Sequence, residues 1–597
     1  MCGFIGQVSY KDIDHNLLEA SNRRIICRGP DEKKSFFGNS TETFSSEEKF
    51  NFSIFFNRLS ILDLTENASQ PMISNKFKTV LLFNGEIYNH KILRQELEKE
   101  GVQFISDHSD SEVVLNGFSY YGKSFAEKLI GQFSIVFFDF KLNKILLIRD
   151  RLGQKPLFFS NTKNNLVFGS NLESVSEISN EKEISEAEFY KYLNLGVVPS
   201  PMTIYKNIYK VRPGELIEFI IKKDNLKKLL NQYWNPADFV SEEEFKKDEL
   251  YELINDSVNL RMKADVDIAN FSSGGIDSTS IIKIASEKSS LNTFSMSVGD
   301  SVYDESKWFN AVANKYKSKH KTIIVDSDSI SNEEIIESVK IFDEPYSDPS
   351  TLPSYLLSKE ISKSHKVAIS GDGGDELFGG YSRLSLSLNS NSTLLKHLYG
   401  IYPSYLGTGN RLLRHSKDIN TAYSSFIEDK KLLDLLNIKI DYDFKHEYLN
   451  NTNNVIKNLL ICDFKFYLSE MMMLKVDRTS MANSLEVRSP FVDHRLIEYM
   501  LSHEIKINLS NPKQELKNLL RNDFDHNFLN RKKMGFVYDI ENWIFSNKSI
   551  ITKAIDDCSF FENLNNKKIK LLFKFPSRIN AIRIWKFYLF ALFMEGK

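Results

Sequence analysis

The chain has 597 residues of ordinary composition, 42% hydrophobic and 26% charged, with a formal net charge of -2. This length predicts roughly three or four domain-sized units, too much chain for one core. So small a net charge provides no global attraction to nucleic acid or to an anionic membrane, and neither is expected as a partner.

The first residues, MCGFIGQVSYKD, carry neither the basic region nor the long apolar run of a signal peptide. Cys2 stands just before a strand-like FIGQV, an unusual place for a thiol because N-termini fray. Cys2, Cys27, Cys462 and Cys558 show no metal-ligand spacing or disulfide pattern, which fits a reducing, cytoplasmic location. VLLF before an Asn84–Gly85 turn, FSIVFFDF and KILLIRD read as strands. HKILRQELEKEG, after that turn, predicts a helix with Ile92, Leu93 and Leu97 on one face and Gly101 as its stop. Short strands and turns with one intervening helix predict an α+β unit with antiparallel pairing over residues 2–200.

From Pro199 the stretch PSPMTIYKNIYKVRPGE is proline-punctuated, and KKDNLKKLLNQYWNP is charged and irregular, so 201–235 is expected to be a linker. Beyond it the rhythm alternates. IANF leads into SSGGIDSTSIIKIASEK, and TFSMSV precedes SKWFNAVANKY, where Trp308, Val312 and Tyr316 recur at helical spacing. KTIIV precedes EEIIESVKIF, and KVAIS runs into GDGGDE. This order predicts an α/β unit over 236–597, a doubly wound parallel sheet with ligands at the strands' carboxyl ends. After a polar loop around SLSLNSNSTLLKH the remainder reads as mostly helical. WKFYLFALFM, interrupted by Lys586, is too short to span a bilayer.

SGGIDS, Ser273 to Ser278, falls at a strand-to-helix junction. Glycines there let backbone N–H groups approach an anion, and a helix N-terminus adds a favourable dipole. No Gly-Lys-Ser/Thr follows, so it is not a Walker A loop. Alone it would be a helix-capping turn, but a carboxylate beside a phosphate loop makes sense where Mg2+ bridges the two, and Asp277 supplies one. SGDGGDE, Ser370 to Glu376, closes another strand of the same sheet, which brings Asp372, Asp375 and Glu376 near the first loop. Three acids without basic neighbours repel unless a metal or cationic substrate is present. RKKMGF, from Arg531, offers cations for a leaving pyrophosphate.

SGGIDS, YDES, DEPYSDPSTLP, SGDGGDELFGGY, LKVDRTSMANSLEVRSPFVDHRL and RKKMGF occur in this order. The set resembles the PP-loop ATP pyrophosphatases and, more finely, the asparagine synthetase family of class II glutamine amidotransferases, over essentially the whole chain. The resemblance implies an N-terminal glutaminase domain, a four-layer Ntn-hydrolase sandwich whose initiator Met is removed so that Cys2 becomes the nucleophile. A thiol with an ordinary pKa near ~8.5 beside an α-amine near ~8 needs no separate catalytic His. By the same resemblance Arg58 in NRLSILD takes the glutamine α-carboxylate, and Leu59, Ser60, Ile61 and Leu62 belong to the glutamine site. Asn84 and the Gly85 N–H form the oxyanion hole, Glu86 contacts the substrate, and Asp110 binds the α-amino group. In one departure Cys27 replaces the usual His of HRGPD, so that ring's hydrogen bonds are lost; Arg28 to Asp31 read as scaffold.

In the C-terminal part the resemblance implies that ATP, with Mg2+ at Asp277 and Asp375, adenylates an acceptor carboxylate, and that ammonia then displaces AMP. Ser273, Gly274, Gly275, Asp277 and Ser278 hold the pyrophosphate and the ion. Ser272, Met296, Ser370 and Gly371 lie around the adenosine or its phosphates, Lys533 meets the pyrophosphate, and Asp372 is the acid near the activated acceptor. Ammonia released to water would be protonated, so an enclosed passage makes chemical sense. Aspartate, giving asparagine, is the first acceptor implied. Asp372 stands where some asparagine synthetases have Glu, and Ser489 in VRSPF replaces a commoner valine, so a uronic-acid sugar of surface polysaccharides is the alternative. A silent scaffold would have lost Cys2, Asp277 or Asp375. A tRNA-modifying relative would need a basic surface or a thiol near the loop, and no cysteine lies between Cys27 and Cys462. Members of the family are often homodimers, which no residue pattern here indicates.

Overall fold

A computed structural model describes residues 2–222, 225–297, 305–324, 331–388, 394–414, 418–449, 452, 454–504, 507, 511–531, 539–564 and 566–595. Up to residue 232 the strands are β1 (Cys2–Ser9), β2 (Glu32–Asn39), β3 (Asn51–Arg58), β4 (Met72–Ser74), β5 (Thr79–Ile87) and β6 (Gly131–Asp139). Then come β7 (Lys144–Arg149), β8 (Phe158–Asn161), β9 (Asn165–Gly169), β10 (Tyr209–Lys210), β11 (Glu215–Ile221) and β12 (Leu226–Gln232). They form two antiparallel six-stranded sheets, in the orders β10-β8-β9-β1-β3-β2 and β12-β11-β7-β6-β5-β4.

Because successive strand side chains point to opposite faces, each strand feeds two cores. Cys2, Phe4 and Val8 of β1, Phe52, Ile54 and Phe56 of β3, Val80 and Leu82 of β5, and Val136 and Phe138 of β6 share the core between the sheets. Ile5 and Phe55 face outward into a second core, with Leu18 of the helix His15–Asn22 and Leu172 and Val175 of the helix Leu172–Ser179. Leu81 and Phe83 face a third, beneath the helices His90–Lys99 and Asp110–Tyr121. The result is the expected four-layer α+β sandwich.

Three expectations are corrected. Asn84–Gly85 is no turn: β5 runs through both residues, paired with Ser134 and Phe133 of β6, and the chain turns only after Ile87. The helix begins at His90 and buries Leu93 and Leu97, but Ile92 is 58% exposed, one residue off the buried stripe. The 201–235 stretch is not a linker, because β10, β11 and β12 are built into the two sheets. Its charged KKLLNQ is the edge strand β12, whose lysines solvate an otherwise open edge.

The C-terminal part contains β13 (Ile268–Phe271), β14 (Asn292–Ser297), β15 (Lys319–Ile324), β16 (Val367–Ile369) and β17 (Glu486–Arg488), all parallel, in the order β15-β14-β13-β16-β17. The helices Lys247–Arg261 and Ile276–Ser286 cover one face through Leu250, Ile254, Val258, Ile281 and Ile282. Leu357 and Ile361 of the helix Thr351–Ile361 pack on Ala269, Ala368 and Val487 of the other. This is the doubly wound sheet expected, with β17 unanticipated. A π-helical segment, Asp463–Met472, runs into the helix Met473–Met481, which carries Lys475, Asp477 and Arg478. The apolar C-terminal run is a core helix, Arg578–Glu595, where Phe590 packs against Phe189 of the N-terminal part at 4.3 Å. Among the described residues no helix is long and apolar enough to cross a membrane.

The two parts meet through buried charge. Arg28 donates through both terminal nitrogens to Asp477 (2.8 and 3.0 Å), which also pairs with Arg478 (3.1 Å) and Lys155 (3.6 Å). Arg478 in turn holds Asp343 of DEPYSDP, whose carboxylate accepts the Leu172 N–H at 2.7 Å. Burial opposes ionising Asp477, but Arg28, Lys155 and Arg478 outweigh it and hold the carboxyl well below the usual carboxylate range. That stabilisation is present above the unfolded pKa near ~4 and is lost as pH falls through the lower folded value. Asp477→Asn, which leaves three buried cations around a neutral amide, is expected to cost about 3 kcal/mol or more. Lowered melting temperature and faster proteolysis between the two parts, measured at neutral pH, would register it.

Candidate active sites

At one end of the sandwich the inner face changes from apolar to polar. Continuing the inward parity of β1, β3 and β5 past Phe4, Phe56 and Leu82 leads to Cys2, Arg58, Asn84 and Glu86. Cys2 and Arg58 are direct cross-strand partners, so their side chains share a face. Asn84 is fully buried; its Oδ1 accepts the Cys2 N–H at 3.0 Å, and its Nδ2 donates to Ser134 at 3.4 Å. Gly85 has no room for a side chain, since a Cβ would lie 2.0 Å from the Gln132 carbonyl oxygen. Burial pushes the Cys2 thiol up, while the Leu59 N–H bonded to it and the Arg58 guanidinium pull it down.

Arg58 is wrapped by its own loop, donating to the Thr65 carbonyl at 2.9 Å and to the Asp63 carbonyl. Leu59 and Ile61 pack against Val367 and Met481 of the C-terminal part, so their side chains serve the interface; Leu62 is half-buried. The Ser60 N–H donates to Asp31 at 2.7 Å, and Asp31 also holds Lys366 at 2.8 Å. Asp110 begins its helix with Oδ2 on the Ile87 N–H at 3.1 Å, which places it beside the end of β5. Arg28 links the two parts at this point, its Nε donating to the Cys2 carbonyl at 3.2 Å while the same side chain grips Asp477. Cys27 is exposed, and this position is held by its carbonyl, which accepts from Ser484 at 2.6 Å.

β17 supplies two groups the sequence did not single out. Arg488, fully buried, donates to Glu86 (3.0 Å), to Glu486 (2.6 Å) and to the carbonyls of Arg261 and Lys263. Glu86, Asp110 and Glu486 are three buried carboxyls close to one guanidinium, so full ionisation of all three is unfavourable. Burial raises Glu486, but nearby positive charge, the chain's amino terminus first and then Arg488 and Lys155, outweighs it and holds that group down at about 2. Burial, with Asp110 and Glu486 nearby, drives Glu86 well above the usual range despite Arg488. Asp110 is pushed up to about 6 by burial and by Glu486. A pocket with one carboxylate too many is suited to an ammonium group.

The second centre lies at the carboxyl ends of β13 and β16. Gly274 has φ +67°, and a Cβ there would fall 2.7 Å from the Phe309 nitrogen. Ser273 and Ser278 hydroxyls are 3.0 Å apart across the loop, and Gly275 caps the helix that follows. Gly371 and Gly374 let the second loop touch the first: Cβ atoms there would lie 2.9 Å from the Ser278 nitrogen and 2.6 Å from Asp277 Cγ. Ser295 donates to the Ser272 carbonyl, and half-buried Met296 follows it in β14. Ser370 and Ser489 hydroxyls meet at 2.9 Å. Arg531 pairs with Glu305 at 2.5 Å beside this loop; Lys533, and Tyr303 and Asp304 of YDES, lie outside the described residues.

The expectation that the acids lack basic neighbours is also corrected. Lys513, from a segment some 240 residues downstream of Asp277, places its Nζ 2.5 Å from both Asp277 and Asp375. Glu376 turns inward to accept from the Tyr381 hydroxyl at 2.9 Å, and burial beside Asp375 pushes it up to about 7. Burial would lower Lys475, but Asp348 and Asp372 hold it above its ordinary value. Asp375 therefore faces the Lys513 ammonium, and the Asp372 charge contributes to holding Lys475 protonated. Lys475 falls within the LKVDRTS motif without being singled out, and Lys513 just precedes the helix Gln514–Leu520 in a stretch with no motif to mark it. Among the described residues no three His, Cys, Asp or Glu side chains converge as a metal cluster.

Fold and centres together define a class of protein: an antiparallel four-layer sandwich with a thiol on its first strand, fused to a parallel sheet with a glycine-rich loop at a strand-to-helix junction. Residues 1–234 match a glutamine amidotransferase domain family, and residues 249–573 match the asparagine synthase family. The chain belongs to the asparagine synthase family. It is 30% identical to asparagine synthetase [glutamine-hydrolyzing] 1 of Bacillus subtilis, over 91% of this chain and 88% of that protein. It is 31% identical to the putative asparagine synthetase [glutamine-hydrolyzing] 2 of Methanocaldococcus jannaschii, over 64% and 76% respectively. With asparagine synthetase [glutamine-hydrolyzing] 2 of B. subtilis the identity is 26%, over 90% and 72%.

Proposed function

We propose that the chain is a glutamine-hydrolysing asparagine synthetase, in which ammonia freed at Cys2 amidates aspartate activated by ATP. The observation that carries this reading is β17, a single short strand in contact with both centres. Its Arg488 holds Glu86 of the thiol site, and Ser489 just beyond it meets Ser370 of the second loop.

In the sandwich, removal of Met1 turns the Cys2 nitrogen into an α-amine that Asn84 Oδ1 orients. That amine takes the thiol proton as Sγ attacks the glutamine side-chain carbonyl. The Asn84 amide and the Gly85 N–H hold the resulting oxyanion. Arg58 receives the α-carboxylate and Asp110 the α-ammonium, which relieves the carboxylate excess around Glu86. Collapse of the adduct expels ammonia and leaves a thioester that water hydrolyses to glutamate. The active enzyme is therefore expected to begin at Cys2. Intact-mass measurement should find the glutaminase-competent fraction one methionine lighter than the full chain, and an active Met1-bearing chain would contradict the assignment.

In the C-terminal part Ser273, Gly274, Gly275 and Ser278 cradle the polyphosphate of ATP, with Ser272, Met296, Ser370 and Gly371 around the nucleotide. From the sequence, Lys533 is assigned to the departing pyrophosphate. The aspartate side-chain carboxylate lies by Asp372 and Lys475, attacks the α-phosphorus and releases pyrophosphate; ammonia then attacks the acyl carbon and AMP leaves. Asp277 and Asp375 fit a divalent cation, since both carboxylates already converge on one positive charge, the Lys513 ammonium. Mg2+ bound there would neutralise polyphosphate charge next to the loop. The division into units is placed after β12, near Trp234.

Purified protein supplied with aspartate, glutamine and ATP should form asparagine, glutamate, AMP and pyrophosphate in equal amounts. AMP release with a uronic-acid sugar but none with aspartate would replace aspartate by a sugar carboxylate as the acceptor.

A further inference from the structure

The lead-in to β13 makes a contact that the reaction scheme leaves unused. Asp265 belongs to the C-terminal part, yet three of its polar contacts reach the sandwich. Its N–H donates to the Ile61 carbonyl at 3.0 Å, and its Oδ2 accepts the Asp63 N–H at 2.7 Å. The same oxygen lies 2.6 Å from His108 Nε2.

These contacts join the two arms of the glutamine site. One arm, residues 59–65, encloses Arg58, whose guanidinium donates to the carbonyls of Asp63 and Thr65. The other, residues 103–109, leads directly into Asp110. It is braced on its own side, with the Ile105 and Ser106 N–H groups on Glu112 (2.7 Å each) and Arg94 on the carbonyls of Ser106 and Asp107. The imidazole of His108 reaches from this braced arm to the other arm's anchor.

We propose that His108 and Asp265 form an interdomain clasp that sets the spacing between the Arg58 arm and the Asp110 arm, and so tightens the pocket on the two charged ends of glutamine. The clasp rests on the glutaminase assignment above. His108 is a positioning residue, since it touches neither Cys2 nor the groups assigned to the substrate. Arg58 and Asp110 must meet a carboxylate and an ammonium that share one carbon, and a displaced arm loses one of the two contacts.

The clasp is pH-dependent with a definite sign. The Asp265 hydrogen bond, with smaller contributions from Asp107 and Asp63, holds His108 above its ordinary value. Burial raises Asp265, but His108 and the Asp63 N–H outweigh it and hold it low. The other charged or titratable groups facing the pair are Lys91 and His90, on the helix His90–Lys99, and Lys263; burial pushes His90 down to about 4. A histidine raised by its partner stabilises the closed arrangement below ~6.5, and that contribution is lost as pH rises through the raised value. The KM for glutamine should therefore climb on the alkaline side.

The test compares KM and kcat for glutamine hydrolysis, together with ammonia-dependent synthesis, in wild type, His108→Ala and His108→Gln across the histidine titration range. Wild type should show the alkaline rise in KM. His108→Ala should raise KM for glutamine about fivefold at the acidic end, a contact this exposed being worth no more, with kcat and ammonia-dependent synthesis little changed. His108→Gln keeps a neutral hydrogen bond and should flatten the alkaline rise. An unchanged KM in His108→Ala, or the wild-type pH profile surviving in His108→Gln, would overturn the clasp. A wild-type protein unable to hydrolyse glutamine would overturn the underlying glutaminase assignment instead, and the two failures are distinguished by which protein shows them.

Discussion

Cys2→Ala is expected to abolish glutamine-dependent asparagine formation while synthesis from added ammonium persists at close to the wild-type rate. The sulfur is the only atom of the site that bonds covalently to substrate, so its loss should reduce glutamine hydrolysis by at least ~10^3-fold. Nothing at the second centre touches it: Lys513, Asp277, Asp375 and Asp372 all lie beyond β13 and β16 in the other part. The substitution is small and sits at the edge of a well-filled core with Phe4 and Phe56 intact, so folding should be preserved. Parallel assays with glutamine and with an ammonium salt decide it. Failure of both nitrogen sources in a folded protein would sink the division into two sites.

Asp277→Asn should have the opposite signature, losing synthesis from either nitrogen source while glutamine is still hydrolysed. Asp277 stands where the two loops touch, pressed against Gly371 and Gly374 and paired with Lys513 at 2.5 Å. Removing its charge leaves Lys513 with Asp375 alone and weakens the cation position beside the polyphosphate. A loss of about a hundredfold or more in AMP and pyrophosphate release is expected, as for other preorganised charges at a reacting centre. A melting measurement separates this from unfolding, and equal loss of glutaminase and synthetase activity in a folded variant would count against the placement of ATP.

Much of the architecture was legible because its signals are local. Alternation in FSIVFFDF and KILLIRD, and strand-then-helix order around SGGIDS, depend on residues within a few positions of one another. The errors came where a neighbour in space overrides a local preference. Asn-Gly favours a hairpin turn in isolation, but β6 pairs with β5 through Ser134 and Phe133 and holds Asn84 and Gly85 extended. The charges of KKLLNQ look like a linker, yet an edge strand is a place where lysines are well solvated while its other face is paired. DEPYSDP and LKVDRTS stand out as motifs in the sequence; only the fold shows that Asp343, Asp477 and Arg478 bind the two parts together.

By itself the sequence determined the kinds of structure present and the reactive groups: a thiol at the head of a strand, two glycine loops at the ends of parallel strands, and the acids beside them. Tertiary structure alone decided which charges answer which. Arg28 and Asp477 are 449 positions apart, Glu86 and Arg488 402, Asp277 and Lys513 236, and His108 and Asp265 157. Local patterning is written in the backbone's period of two or 3.6 residues, so it can be read from a short window. An ion pair between distant segments leaves no such period, and in a chain where 26% of residues are charged any one of them has many possible partners until the fold brings two together.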